Sequence, residues 1–104
     1  MVVKKIYRYQ VAFDHWAQFV EIQKKAAALY RQHLCFEVEY IRAQGNSEKV
    51  IEIQTFFNDG DAKKAEDLVS IEPELKKLFQ DFLTILDAKN THIDEETGPV
   101  VLKL

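Results

Sequence analysis

The order of its hydrophobic periodicities constrains this chain more than any single residue does: a two-residue alternation, a helical stripe, two more alternating runs, a second helical stretch and a terminal strand-like run. Val3, Lys5, Tyr7, Tyr9 and Val11 share one side of the first run and Val2, Lys4, Ile6, Arg8 and Gln10 the other, the period of a strand rich in β-formers. Asp14 follows where a carboxylate can accept from the free N–H groups of a first helical turn. Trp16, Phe19, Ile22, Ala26, Leu29 and Tyr30 then repeat at helical spacing. A helix from Asp14 to about His33 is predicted, with Gln18, Glu21, Lys25 and Gln32 facing water.

Leu34 to Ala43 and Glu48 to Phe57 read as a hairpin around Gln44-Gly45-Asn46-Ser47, since Gly and Asn tolerate the positive φ such loops need. Asn58-Asp59-Gly60-Asp61 is turn chemistry leading into a short helix from Ala62 to Val69. Ser70 to Pro73 ends that helix and starts another, whose stripe is Leu75, Leu78, Phe79, Phe82, Ile85 and Leu86. Thr91 to Ile93 looks strand-like, Gly98-Pro99 punctuates, and Val100 to Leu104 is the predicted terminal strand. The resulting β-α-β-β-α-β order is that of a ferredoxin-like α+β sandwich: an antiparallel sheet with its helices on one side.

Composition narrows the function. At 104 residues, with 47% hydrophobic residues, three Gly and two Pro, residues 1–104 are expected to form one domain with one core. Fourteen basic residues are spread among 17 acidic ones for a net charge of -3, which argues against nucleic acid. Cys35 has no partner for an internal disulfide, and no signal-like or membrane-length apolar run is seen, so a cytoplasmic protein that does not enter membranes is expected.

A sheet with helices on one side leaves its other side bare. If Ile51, Ile53, Thr55 and Phe57 face the helices together with Phe36, Val38 and Tyr40, the bare side carries Val50, Phe56 and Ile41 among Glu37, Glu39, Glu52 and Gln54. Bare apolar patches mark interaction surfaces, so a homodimer closing a β-barrel is predicted, with Val100 to Leu104 reaching across to the partner. Glu39, Glu52 and Gln54 would then line a space between protomers, where Arg8 could pair with a carboxylate. A carboxylate lacking such a partner there would be a candidate base.

The hairpin strand Phe36-Glu37-Val38-Glu39-Tyr40, the strand Ile51-Glu52-Ile53-Gln54-Thr55-Phe56-Phe57, the Asp61-Ala62 helix start and Pro73-Glu74-Leu75 resemble the dimeric α/β-barrel superfamily, in particular its antibiotic-biosynthesis-monooxygenase-like members. The resemblance implies a homodimer, a cavity for a small apolar or aromatic molecule, and cofactor-independent oxygenase chemistry as one activity in its range. Such members commonly carry a His early in the crossover helix and a Trp near the end of the second hairpin strand. Those neighbourhoods read Ala65-Glu66-Asp67 and Phe56-Phe57-Asn58 here, and the position of a haem-ligating His reads Phe79, so no family catalytic residue is carried over and no cofactor is expected.

Candidate residues are therefore Tyr7, Arg8, Trp16, Glu39, Glu52, Gln54 and Phe56 for ligand binding, with Glu39, Glu52 and His15 as possible proton acceptors. His92 with Asp94, Glu95 and Glu96 offers one nitrogen donor and no second His, so no metal is expected. Cys35, between Leu34 and Phe36, reads as a core residue. The competing function is a non-catalytic dimeric interaction or regulatory module whose barrel is filled by Val50 and Phe56.

Overall fold

The computed structural model describes residues 1–46 and 48–104; Ser47, the last of the four residues expected to form the hairpin loop, lies outside the described residues. Strand β1 (Val3–Gln10) leads into a 3-10 turn at Phe13–His15 and helix α1 (Trp16–Arg31), followed by β2 (Phe36–Arg42), β3 (Lys49–Phe56), α2 (Asp59–Ile71), α3 (Pro73–Thr84) and β4 (Asp94–Pro99). The sheet is antiparallel in the order β2-β3-β1-β4. The helices supply the apolar partners of one face, which makes this the ferredoxin-like α+β fold.

Local chemistry sets most boundaries. Gly45 has a φ of 89°, the positive value that its hairpin loop needs. The Asn58 side chain accepts the Asp61 N–H at 2.7 Å and caps α2. Glu72 is shared between two helices: its N–H donates to Leu68 O at 2.9 Å, and its carboxylate accepts the N–H groups of Glu74 and Leu75 ahead of Pro73 in the first turn of α3. Asn58→Ala is expected to cost about 1 kcal/mol, the usual worth of such a cap, measurable as a lower urea midpoint with an unchanged slope.

Several boundaries differ from expectation: α2 begins at Asp59 and runs to Ile71 where Ala62 to Val69 was expected, Thr91 to Ile93 is not a strand, and two further differences follow from specific contacts. Asp14 does not cap α1, because the Ala12 N–H is held by Ile85 O at 3.1 Å and the Phe13 N–H by Glu48 at 3.0 Å, and the chain turns once before the helix begins at Trp16. The terminal strand is Asp94–Pro99 and not Val100–Leu104. Antiparallel pairing aligns Val3 with Pro99, and beyond it the Val100 N–H donates to Val2 O at 2.9 Å. Val101, Leu102 and Leu104 are exposed.

The register corrects the assignment of faces. Phe36 and Phe56, Val38 and Gln54, and Tyr40 and Glu52 are cross-strand partners, and Tyr7 and Tyr9 lie opposite Glu52 and Val50. Phe36, Val38 and Tyr40 face the helices as predicted. Val50, Glu52, Gln54 and Phe56 do so too, with Val50 and Phe56 each 1% exposed, so neither fills a space between protomers. Ile51 and Ile53 turn to the bare face beside Ile6, Ile41, Glu37 and Glu39. The reason lies in what each end of β3 meets: Phe56 packs with Val3, Phe36 and the α2 residues Ala62, Ala65 and Leu68, and Val50 with Tyr9, Val11, Phe19 and Phe82. These are two separate core clusters, and the polar residues Glu52 and Gln54 fall between them. Cys35 is exposed, not buried as expected, because the core positions on either side belong to Leu34 and Phe36.

Candidate functional site

The gap between the two core clusters is a cavity of about 410 Å³. Its floor is the middle of the sheet, with Tyr7 and Tyr9 from β1, Glu52 and Gln54 from β3, and Glu95 from β4. The register makes Tyr7 the direct neighbour of both Glu52 and Glu95, so all three side chains share this face. The roof is largely apolar, with Ile22 and Ala26 from α1 and Leu75, Leu78 and Phe82 from α3 beside Gln23 and Tyr30 of α1. The apolar ones are the inward positions of two helical stripes. Strand alternation and helical periodicity thus deliver one polar wall and one mainly greasy wall facing each other.

Glu52 is 7% exposed. Its Oε1 accepts the Tyr9 hydroxyl at 2.7 Å and its Oε2 accepts the Gln54 amide at 2.7 Å. Burial pushes its pKa up from the ordinary 4.5, and the two neutral donors pull against that without reversing it. Burial, then the negative charge of Glu52, lifts the hydroxyl of Tyr30 to about 12. Tyr7, Tyr9 and Tyr40 are raised further still, with burial again first and, for Tyr7, Glu95 next. The hydroxyls therefore stay protonated near neutrality, and Glu52 is the buried carboxylate of this wall. Tyr40, behind it, donates to Gln23 Oε1 at 2.7 Å. Outside the cavity, the Lys5 ammonium lies beneath α2, 3.1 Å from Glu66 and 5.5 Å from the centre of the Phe56 ring.

The candidate residues separate in space. Tyr7, Glu52 and Gln54 line the cavity. Phe56 is buried beside it, stacked on Phe36 at 5.8 Å between centroids. Trp16 stacks on Phe19 at 5.0 Å and carries the Arg42 guanidinium 4.1 Å above its ring, away from the lining. Arg8 lies on the bare face, paired with Glu96 at 3.1 Å, and Glu39 is exposed on that same face, so neither shares a space with Glu52. His15 sits in the turn before α1 with its Nδ1 buried and unbonded, away from the cavity lining. His92 contacts Asp94 at 2.7 Å in an exposed position. No group of three or more metal-ligating side chains occurs among the described residues, and no helix there is long and apolar enough to cross a membrane.

Sequence reasoning did not select Tyr9, Tyr30, Gln23, Glu95 or Phe82. Tyr9 carried a usable signal, since it shares the side of β1 that holds Val3 and Val11. Any face with buried ends keeps its middle residues under the helices, so Tyr9 belonged with Tyr7.

No known family model matches the sequence, and no curated protein does either. Solved structures do match over nearly the whole chain. SnoaB, a cofactor-independent oxygenase from Streptomyces nogalater, superposes with a TM-score of 0.76 over 99% of this chain and 96% of its own, at 12% identity. An antibiotic biosynthesis monooxygenase does so at 0.71 over 96% and 99%, at 12% identity. Rv0793 from Mycobacterium tuberculosis gives 0.71 over 99% and 98%, at 8% identity. At such identities the likeness is one of fold, and that fold is the one of the antibiotic-biosynthesis-monooxygenase-like proteins.

Proposed function

We propose that this chain is a small-molecule-binding protein in which each protomer holds one apolar or aromatic ligand between the sheet and α1 and α3, with Glu52 as its polar anchor. The observation that carries this reading is a carboxylate, 7% exposed, on the polar wall of a cavity of about 410 Å³ whose opposite wall is largely apolar. Apolar walls with a few converging polar groups characterise ligand sites, and a carboxylate held only by neutral donors is uncommon without a task. Because the cavity lies within one protomer, it does not depend on a partner.

Glu52 also has the chemistry of a general base. An aromatic hydroxyl compound would give its proton to the ionised carboxylate, leaving an electron-rich anion that itself reduces dioxygen. Dioxygen adds at the ring carbon para to the hydroxyl, the O–O bond and that carbon's C–H bond then break, and the product is the quinone. One oxygen atom stays as its new carbonyl, the other leaves as water with the hydroxyl and ring protons, and the substrate supplies all four electrons. The description of SnoaB as a cofactor-independent oxygenase supports this reading.

Binding is tested by calorimetric titration with 3-methylindole, a flat neutral probe that fits the volume. Saturable binding is expected in the wild type. Ala26→Phe, which puts a ring into the cavity from α1, should abolish it while the circular dichroism spectrum stays native. Equal binding by a folded Ala26→Phe variant would place the ligand elsewhere and refute the reading.

The protein is further proposed to be a homodimer. Ile6, Ile41, Ile51 and Ile53 form a stripe across the bare face, flanked by the acidic Glu37 and Glu39 on β2 and by Lys4 and Arg8 on β1. A two-fold axis can set the acids of one copy against the bases of the other and cover the stripe. Burying one Ile is worth roughly 1.5–3 kcal/mol, and each dimer holds two copies. Ile53→Asp is thus expected to weaken dimerisation by on the order of 100-fold or more. Sedimentation should show monomer for the variant and dimer for the wild type; a wild type that sediments as monomer at high concentration would contradict the proposal.

A further inference from the structure

Resting on the ligand reading above, we infer that the cavity discriminates by charge: it admits aromatic ligands that are neutral or carry an ammonium, and it rejects those that carry a carboxylate or another anion. The lining residues include two carboxylates, Glu52 on the floor and Glu95 nearer solvent, and no Lys, Arg or His among the described residues. An anionic ligand entering between the sheet and α3 would leave water without gaining a cation and would stand among carboxylates. In a low-dielectric space that loss is not screened as it would be at the surface.

Hydrogen bonding does not discriminate in this way. The Tyr9 proton and one Gln54 amide proton are committed to Glu52, and the Tyr40 proton to Gln23. The rest of the lining offers acceptors, namely the Glu52 oxygens, the Gln54 carbonyl and Glu95, and donors, namely the Tyr7 and Tyr30 hydroxyls, the second Gln54 amide proton and the Gln23 amide. A neutral ligand can therefore be held through either kind of group, and charge is what separates the ligands. An ammonium would have the two carboxylates as neighbours, with the rings of Tyr7, Phe79 and Phe82 beside them.

Three indoles that differ in the charge of their side chain test this: 3-methylindole (neutral), tryptamine (cation) and indole-3-acetate (anion), each titrated calorimetrically into the intact protein at pH 7.5. The neutral compound and the cation are expected to bind, and the anion at least about tenfold more weakly than 3-methylindole. Glu95→Gln, an exposed change on β4, should narrow the ratio between neutral and anionic ligand several-fold. An anion that binds as tightly as 3-methylindole would overturn the inference and leave the ligand site intact. A ratio unmoved by Glu95→Gln would overturn the electrostatic cause. Failure of all three indoles to bind would refute the ligand reading itself, and the inference with it.

Discussion

Glu52→Gln is expected to make the protein more stable at pH 8 and to flatten the dependence of its stability on pH. The folded-state pKa of Glu52 is raised above the ordinary 4.5 by burial. Below that ordinary value both the folded and the unfolded chain hold the proton, and the group costs nothing. Between it and the folded value, the unfolded chain has ionised while the folded chain still binds the proton, so stability falls as the pH rises. Above the folded value the penalty is complete and constant, about 1.4 kcal/mol for each unit that separates the two states. Gln is isosteric and uncharged, and it keeps its two contacts if the Gln54 amide turns to present its oxygen. The surface carboxylates titrate in both proteins, so the difference between wild-type and variant stability, from urea unfolding between pH 4 and pH 9, isolates this group. A difference that grows toward high pH, in favour of the variant, is the expected outcome; a constant difference would mean that Glu52 is not desolvated. The variant should also bind tryptamine more weakly relative to 3-methylindole than the wild type does, because an amide offers no charge to an ammonium.

Phe19→Ala is expected to remove about 3–5 kcal/mol of stability, the usual cost of deleting a buried aromatic ring. Phe19 is 2% exposed, and its ring meets those of Trp16 at 5.0 Å, Tyr40 at 5.5 Å and Tyr9 at 6.0 Å. It therefore holds α1 against the strands that carry the polar wall. Domains of this size are stable by only about 5–15 kcal/mol, so the variant should unfold at a much lower guanidinium chloride concentration and bind 3-methylindole weakly even where still folded. Phe79→Ala is the control: Phe79 is 47% exposed at the rim of the cavity, and its loss should cost well under half as much. Equal costs at the two positions would show that Phe19 is not the keystone of this cluster.

The element order, the hairpin and the restart of the helix at Pro73 were legible because they rest on local chemistry: alternation, helical spacing, Gly45 in its turn, a proline where a helix begins. The face of β3 was not legible in the same way. Ile51, Ile53 and Phe57 on one side and Val50 and Phe56 on the other are nearly equal in apolar weight, and the polar pair Glu52 and Gln54 tips a count toward putting that side outward. A protein that keeps a cavity must place polar groups under its helices, and there the hydrophobic pattern points the wrong way. Tyr7, Glu52 and Gln54 were selected from chemistry as much as from pattern, and they do line one space. Arg8 and Glu39 were grouped with them only through the mistaken face. Trp16 and His15 lie at the start of α1, where stripe membership alone does not distinguish a packing residue from a lining one. The end of the chain failed for a different reason: Val100 to Leu104 has strand-forming residues, but β1 pairs instead with Asp94–Pro99, whose polar residues carry no strand signal.

A crystal structure of the protein soaked with 3-methylindole puts the ligand site itself to the question. The ring should lie inside each protomer between Phe82, Leu78 and Ile22, with its N–H within hydrogen-bonding distance of a Glu52 oxygen. Density for the probe against Ile51 and Ile53 on the bare side of the sheet, with the space above Glu52 empty, would contradict it.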